Sequence, residues 1–422
     1  MKEIIRLTTK HWTTGLAAGD FLENTGIFTS ATGINPLGAL GGGNEGLLQA
    51  GPALTSIQDD TITDTPWAGV LNGSTSKAYI YGDGGLLCEL DISADTGATL
   101  KRTVANPAAG IGIYQPNGGT KYLYYWQLTQ IGRFDLTSTF VDNQFTGLQS
   151  TTIHPVHEFA GALYYGNKDR VGRIIDDGAS GVTHSTNVLQ FTSEYTVTTI
   201  SDDGIYLILG ITNNTAGATY VRKNKVIFWN LQATSSWVRE WDIPAPSIQA
   251  IRNVGGIIYV ITDDGLFNCN FSTPPKRIEY FPSGEGIGNN GGNAPTHYAA
   301  CVKNSALMWG NSGGGISSYG KLLPGGKDAY LTPGYSSGLS TTLLMPTTRS
   351  KIIANKKYIN FLSSTNVTGV NATSVFIPLE NETKINRIDL ILGTPLVTGD
   401  SVSISLQSDN DTTAFAFGTA TY

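Results

Sequence analysis

The chain has 422 residues, of which 51 are glycine and only 14% are charged, with 40% hydrophobic residues and a formal net charge of -6. Disorder needs high charge with low hydrophobicity, and long helices need runs of Ala, Glu, Lys, Leu and Arg, so both are excluded. The acidic balance also argues against a nucleic-acid binder, which needs a basic stripe to neutralise phosphates. An all-β chain with many turns remains.

From the amino terminus, Met1-Lys2-Glu3-Ile4-Ile5-Arg6 runs straight into polar residues. It has no apolar core of a signal peptide, so synthesis in a cytoplasm without export is expected. No apolar stretch is long enough to cross a bilayer. Residues 1–55 carry Gly33, Gly38, Gly41, Gly42, Gly43 and Gly46 with little charge, and read as an extended arm that serves assembly. The arm is expected to become ordered against neighbouring subunits.

A repeat follows. Strands rich in Tyr and Ile begin at Tyr79, Tyr122, Leu163, Ile205, Ile257, Ala306 and Tyr358, in steps of 43, 41, 42, 52, 49 and 52 residues. That period matches the four-stranded blade of a β-propeller. The fifth unit is the clearest. Ile248 to Asn253 reads as its inner strand, Gly255-Gly256 as a turn and Ile257 to Thr262 as the second strand. Asp263-Asp264-Gly265 reads as a hairpin turn whose residues need positive φ, and Leu266 to Phe271 as the third strand. Pro274-Pro275 then stops the strand, and Arg277 to Phe281 is the outer one. The fourth and seventh units are read with long second turns, at 212–224 and 364–373. The fold class is therefore an all-β propeller, most simply of seven blades, spanning 56–393. Each unit reads as supplying its own four strands. Residues 394–422 read as a carboxy-terminal β-hairpin, in which Ser401 to Leu406 alternates polar and apolar.

Motifs that suggest chemistry mostly fail on context. Gly310-Asn311-Ser312-Gly313-Gly314 satisfies G-x-S-x-G, but no helix follows to present a nucleophile. His154 and His157 look like a metal pair, but H-x-x-H on a strand places its two side chains on opposite faces, so they read as core or turn histidines. Gly325-Gly326-Lys327 lacks the rest of a phosphate loop. Cys88, Cys269 and Cys301 sit in apolar contexts and read as small core residues. No catalytic residue, metal or cofactor is expected, and the chain reads as a non-enzyme.

Candidates for recognition remain. Asp83, Asp169, Asp263 and Asp264 fall in turns between second and third strands, hence on one face of the disc, where carboxylates suit Ca²⁺ or polyols. Turn chemistry alone explains Asp at such positions. Trp237 and Trp241 have the same parity on one strand, which places them on one face as an aromatic platform for a sugar, or as blade core.

A charge-poor, Gly/Ser/Thr-rich propeller with a non-repetitive arm resembles virion structural proteins of tailed bacteriophages. GGTKYLYYWQLTQIGRFD, HPVHEFAGALYYGNKDRVGRIID and KVIFWNLQATSSWVREWDIP look like blades of propellers found among phage tail and virion genes. The resemblance implies a tail-associated place in the virion, with other virion proteins and copies of itself as partners, and contact with a host receptor or glycan. Nucleic acid and membrane insertion are not among the implied partners. Alternatives from other classes are a lectin-like propeller and, less favoured, a glycan-cleaving one, which needs paired carboxylates in the central pocket.

Overall fold

The computed structural model describes residues 63–311 apart from 74, 94–96, 215–222, 233, 282–286, 288–295 and 304. Elsewhere it describes the strands named below, Ile316–Lys321 and residue 398. The glycines of 33–46 and the run 325–327 lie outside the described residues, as do most of 212–224 and part of 364–373.

Pro66–Asn72, Lys77–Gly82, Leu86–Asp91 and Thr99–Thr103 make the first blade, an antiparallel meander. The same four-stranded meander recurs with inner strands Pro107–Tyr114, Val156–Phe159, Tyr195–Asp202 and Ile248–Val254. It recurs again behind Ala300–Lys303, and Thr341–Pro346 begins a seventh sheet of four strands. Each inner strand contacts the next, and Thr341–Pro346 contacts Pro66–Asn72, so among the described residues seven blades close a ring.

Burial explains why the ring forms. Second strands such as Ala162–Asn167 are buried on both faces, whereas outer strands such as Thr99–Thr103 are largely exposed. The apolar clusters lie between blades: Tyr79, Tyr81 and Phe134 join blades 1 and 2, while Leu207, Leu209 and Tyr164 join blades 3 and 4. A blade with two apolar faces is satisfied only between two others. Close packing also explains glycines inside strands. Gly132 is paired with Tyr125 and Gly172 with Tyr165, and a Cβ added there would fall 2.2 and 2.0 Å from the tyrosine ring. The Gly255-Gly256 turn stands as expected, with φ of 61° and 88°.

Two parts of the seventh blade differ from the sequence reading. Tyr358–Asn366 is its third strand, not its second, because Thr341–Pro346 and Lys351–Asn355 come first. The run Thr341–Met345 is buried throughout, which leaves no alternation to mark it as a strand. The blade also does not supply all four strands. Its outer strand is Pro52–Ile57, paired antiparallel to Tyr358–Asn366. The sixth sheet is extended past Asp328–Leu331 by Gly15–Leu16, Ile27–Thr32 and Asn371–Ser374. The carboxy-terminal hairpin is present, with Ser401–Leu406 against Phe415–Thr421.

Candidate functional site

In a propeller the inner strand of each blade turns a free edge toward the axis, and unpaired N–H and C=O groups there need partners. A short 3₁₀ turn, His297–Ala299, supplies them where the chain passes from blade 5 to blade 6. It contacts the inner strands of blades 1, 4, 5 and 7. Tyr298 reaches blade 2, where its hydroxyl accepts the Ile111 N–H at 3.2 Å. Thr296 donates to the Gln249 carbonyl at 2.6 Å. On blade 4, Thr199 Oγ1 lies 2.9 Å from His297 Nδ1 and accepts the Ile251 N–H at 3.1 Å.

Arg252, on the inner strand of blade 5, holds the turn in place. Its Nε and Nη2 donate to the Ala300 carbonyl at 3.0 and 2.7 Å, Nη1 to its neighbour Ile251 at 2.7 Å, and Nη2 also to His297. Carbonyls, rather than a carboxylate, receive the charge. Burial pushes this guanidinium down to about 10. Burial, followed by the Arg252 and His157 charges, holds His297 well below the ordinary histidine value. At this level the hub is filled by the protein's own side chains.

Beside the hub, His157 on blade 3 meets Asp202 at the end of the blade 4 inner strand, Nε2 to Oδ2 at 2.6 Å. Both side chains are about one-third exposed, at 30% and 31%. The His157 hydrogen bond lowers the Asp202 carboxyl. This pair has the form of an acid–base couple, but Asp202 faces a histidine rather than a second carboxylate. His154 is separated from it, fully buried, with Nδ1 donating to the Gly166 carbonyl at 2.7 Å. Among the described residues no group of His, Cys, Asp or Glu has the arrangement of a metal site.

The candidates read from sequence fall elsewhere. Asp83, Asp169, Asp263 and Asp264 do lie in turns between second and third strands, hence on one face, but in blades 1, 3 and 5. Asp83 accepts the Thr65 N–H at 2.8 Å and Asp263 the Ser247 N–H at 3.1 Å, each latching its turn to the start of the inner strand. Asp264 binds Arg277 at 3.0 Å and Thr262 at 2.9 Å. Trp237 packs with Phe191 on the blade 3 side and donates to Glu240 at 2.9 Å. Trp241 packs on the blade 5 side and donates to the Asn270 carbonyl at 3.0 Å. The two indoles do not share a face. Trp237 precedes the strand Arg239–Ile243, so strand parity does not govern it.

The hub residues Arg252, His297 and Tyr298 were not singled out from sequence. One signal pointed to them: the stretch from Phe281 to Ala300 is far longer than the other blade connections, and His297-Tyr298 stands at its end.

No family model matches the sequence. No curated protein matches it either. Solved structures do match in fold. A streptogramin B lyase is 10% identical over 76% of this chain and 98% of its own, with a TM-score of 0.53. A virginiamycin B lyase from Staphylococcus aureus is 13% identical over 74% and 99%, at 0.50. The extracellular domain of a hybrid two-component system from B. thetaiotaomicron is 14% identical over 76% of this chain and 43% of its own, at 0.51.

The fold is a β-propeller. At such identities the likeness extends to the fold alone. It does correct one expectation. Two of these structures are lyases, so the scaffold is one that carries catalysis, and the reading of the chain as a non-enzyme is withdrawn.

Proposed function

We propose that the chain is a structural component of a bacteriophage virion, tail-associated, whose propeller is a rigid platform for subunit assembly and for contact with the host. The observation that supports this reading most is the filled hub. Propellers that take small ligands commonly do so in the concavity at the axis, and pockets need a hollow lined by convergent polar groups. Here the polar groups of Arg252, His297 and Tyr298 converge on the chain's own backbone. Such an axis stiffens the disc and leaves its faces and added strands as the surfaces for partners. The strands that extend the sixth and seventh sheets show that the amino-terminal segment can pair with sheet edges. The same pairing chemistry would join neighbouring subunits. The resemblance of the blade sequences to phage virion propellers points the same way.

The test is direct. Particles purified from a lysate of the phage whose genome encodes the chain should contain it at a fixed copy number by quantitative mass spectrometry, and antibody-gold should label the tail. Recovery of the chain only in the particle-free fraction would end this reading.

A further inference from the structure

Strand direction places a second set of residues on the face where the inner strands end. Tyr206 lies in the turn after Tyr195–Asp202, Arg239 opens the outer strand of blade 4, and Phe271 follows the third strand of blade 5. All three therefore sit at the junction of blades 4 and 5 on one face. The Tyr206 and Phe271 rings stack with centroids 4.7 Å apart and planes 6° from parallel. The Arg239 guanidinium lies 5.2 Å from the Phe271 centroid and 5.0 Å from that of Trp241. Ile205, next to Tyr206, is 72% exposed.

The arginine sets this ridge apart. Among the described residues, Arg277 is the other arginine set against two rings, and it is also bound to Asp264; Arg102 over Phe140 is bound to Asp142, and Arg133 lies over the single ring of Tyr122. Arg239 is exposed, and among the described residues it has neither a carboxylate nor a hydrogen-bond partner. Two ring faces thus orient a guanidinium whose donor fork stays open. A planar fork of this kind matches a carboxylate with two parallel hydrogen bonds. Steps of 4.7 and 5.2 Å through Phe271 separate it from Tyr206, the scale of one or two sugar rings. Tyr206 and Ile205 offer apolar surface for the C–H face of such a ring. A net charge of -6 disfavours a dianionic phosphate over a singly charged carboxylate.

We propose that Arg239, Tyr206, Phe271 and Ile205 form a binding site for an acidic sugar, a pyranose bearing a carboxylate. Arg239 takes the carboxylate, and Tyr206 with Ile205 takes the ring. The site stands apart from the virion reading, since it would bind the same sugar on the isolated chain.

Titration calorimetry of the full chain with tetragalacturonate and with sialyllactose tests it, with the methyl ester of tetragalacturonate and acetate as comparison ligands. At least one acidic sugar should bind, and R239Q should weaken it by about tenfold or more. R239K, which keeps the charge but not the fork, should recover part of the loss, and F271L should weaken binding at a temperature where its circular dichroism still matches that of the wild type. K223Q, a charge change on the same blade, should leave binding unchanged. The proposal is overturned by no binding of either sugar, by equal binding of the ester, by acetate competing as well as the sugar, or by R239Q binding like wild type.

Discussion

Arg252 and Arg239 lie on blades 5 and 4 of one ring, and the protein uses them in opposite ways. At the hub, Arg252 directs its donors to three carbonyls of its own chain, with no carboxylate among its described partners. At the face, Arg239 rests between two aromatic rings and keeps its donors free. The lesson concerns cost. A buried guanidinium must find acceptors or the fold loses several kcal/mol, whereas an exposed one is solvated and can wait for a ligand.

That contrast can be broken most forcefully at the hub. R252M leaves the Ile251, His297 and Ala300 carbonyls without this donor and is expected to cost about 4 kcal/mol, since hydrogen bonds to charged groups contribute roughly 1.5–3 kcal/mol each and part of the loss is offset by apolar packing. Urea unfolding of the full chain reads it, and a midpoint equal to wild type would deny the hub its structural role.

Acid attacks the interior by a different route. Burial lowers His154 to about 4 and holds His297 well below its ordinary value of 6.5. Both groups bind protons more readily in the unfolded chain, so their contribution is complete above pH 6.5 and is lost as pH falls. For His154 the loss runs from about 6.5 down to about 4, at up to about 1.4 kcal/mol per pH unit. Stability measured across that range should fall toward acid, and H154Q should flatten the slope by one proton. An unchanged slope would show that His154 is not held neutral.

Between hub and face lie the blade interiors. G172A places a methyl group against the Tyr165 ring and should cost about 2 kcal/mol in unfolding experiments. Y298F removes the acceptor for the Ile111 N–H and should cost about 1–2 kcal/mol; a cost near zero would mean that another group takes that N–H. R239Q is the smallest change of all. It should shift stability by less than about 0.5 kcal/mol, because exposed arginine–aromatic contacts contribute little. A large loss of stability in R239Q would erase the distinction between the two arginines.

The blades were legible because each second strand writes a run of Tyr, Ile or Leu at near-constant spacing, and the fifth unit's turns carry their own Gly and Asp-Gly signatures. The seventh blade was misread because Tyr358 matched the aromatic pattern while Thr341–Met345, buried throughout with both threonines inside, offered no alternating period. The hub was not legible for a physical reason. Its bonds join Tyr298 to Ile111 and His297 to Thr199, distant positions in the chain whose nearness depends on ring closure. The face ridge is scattered in the same way over turns and strand ends of two blades. Trp241 was noticed, but its partner Arg239 reads in sequence as one more surface charge.

The pairing of Pro52–Ile57 with Tyr358–Asn366 has a consequence for how the protein is made. These strands are about three hundred residues apart, and bringing such distant segments together costs on the order of 5 kcal/mol in chain entropy. On the ribosome, Pro52–Ile57 emerges early and must stay unpaired while six blades are synthesised behind it. A chain that stops before Tyr358 never receives its closing partner. Closure of the ring is therefore the last event its synthesis permits, since only a polypeptide extended past that point can complete the seventh sheet.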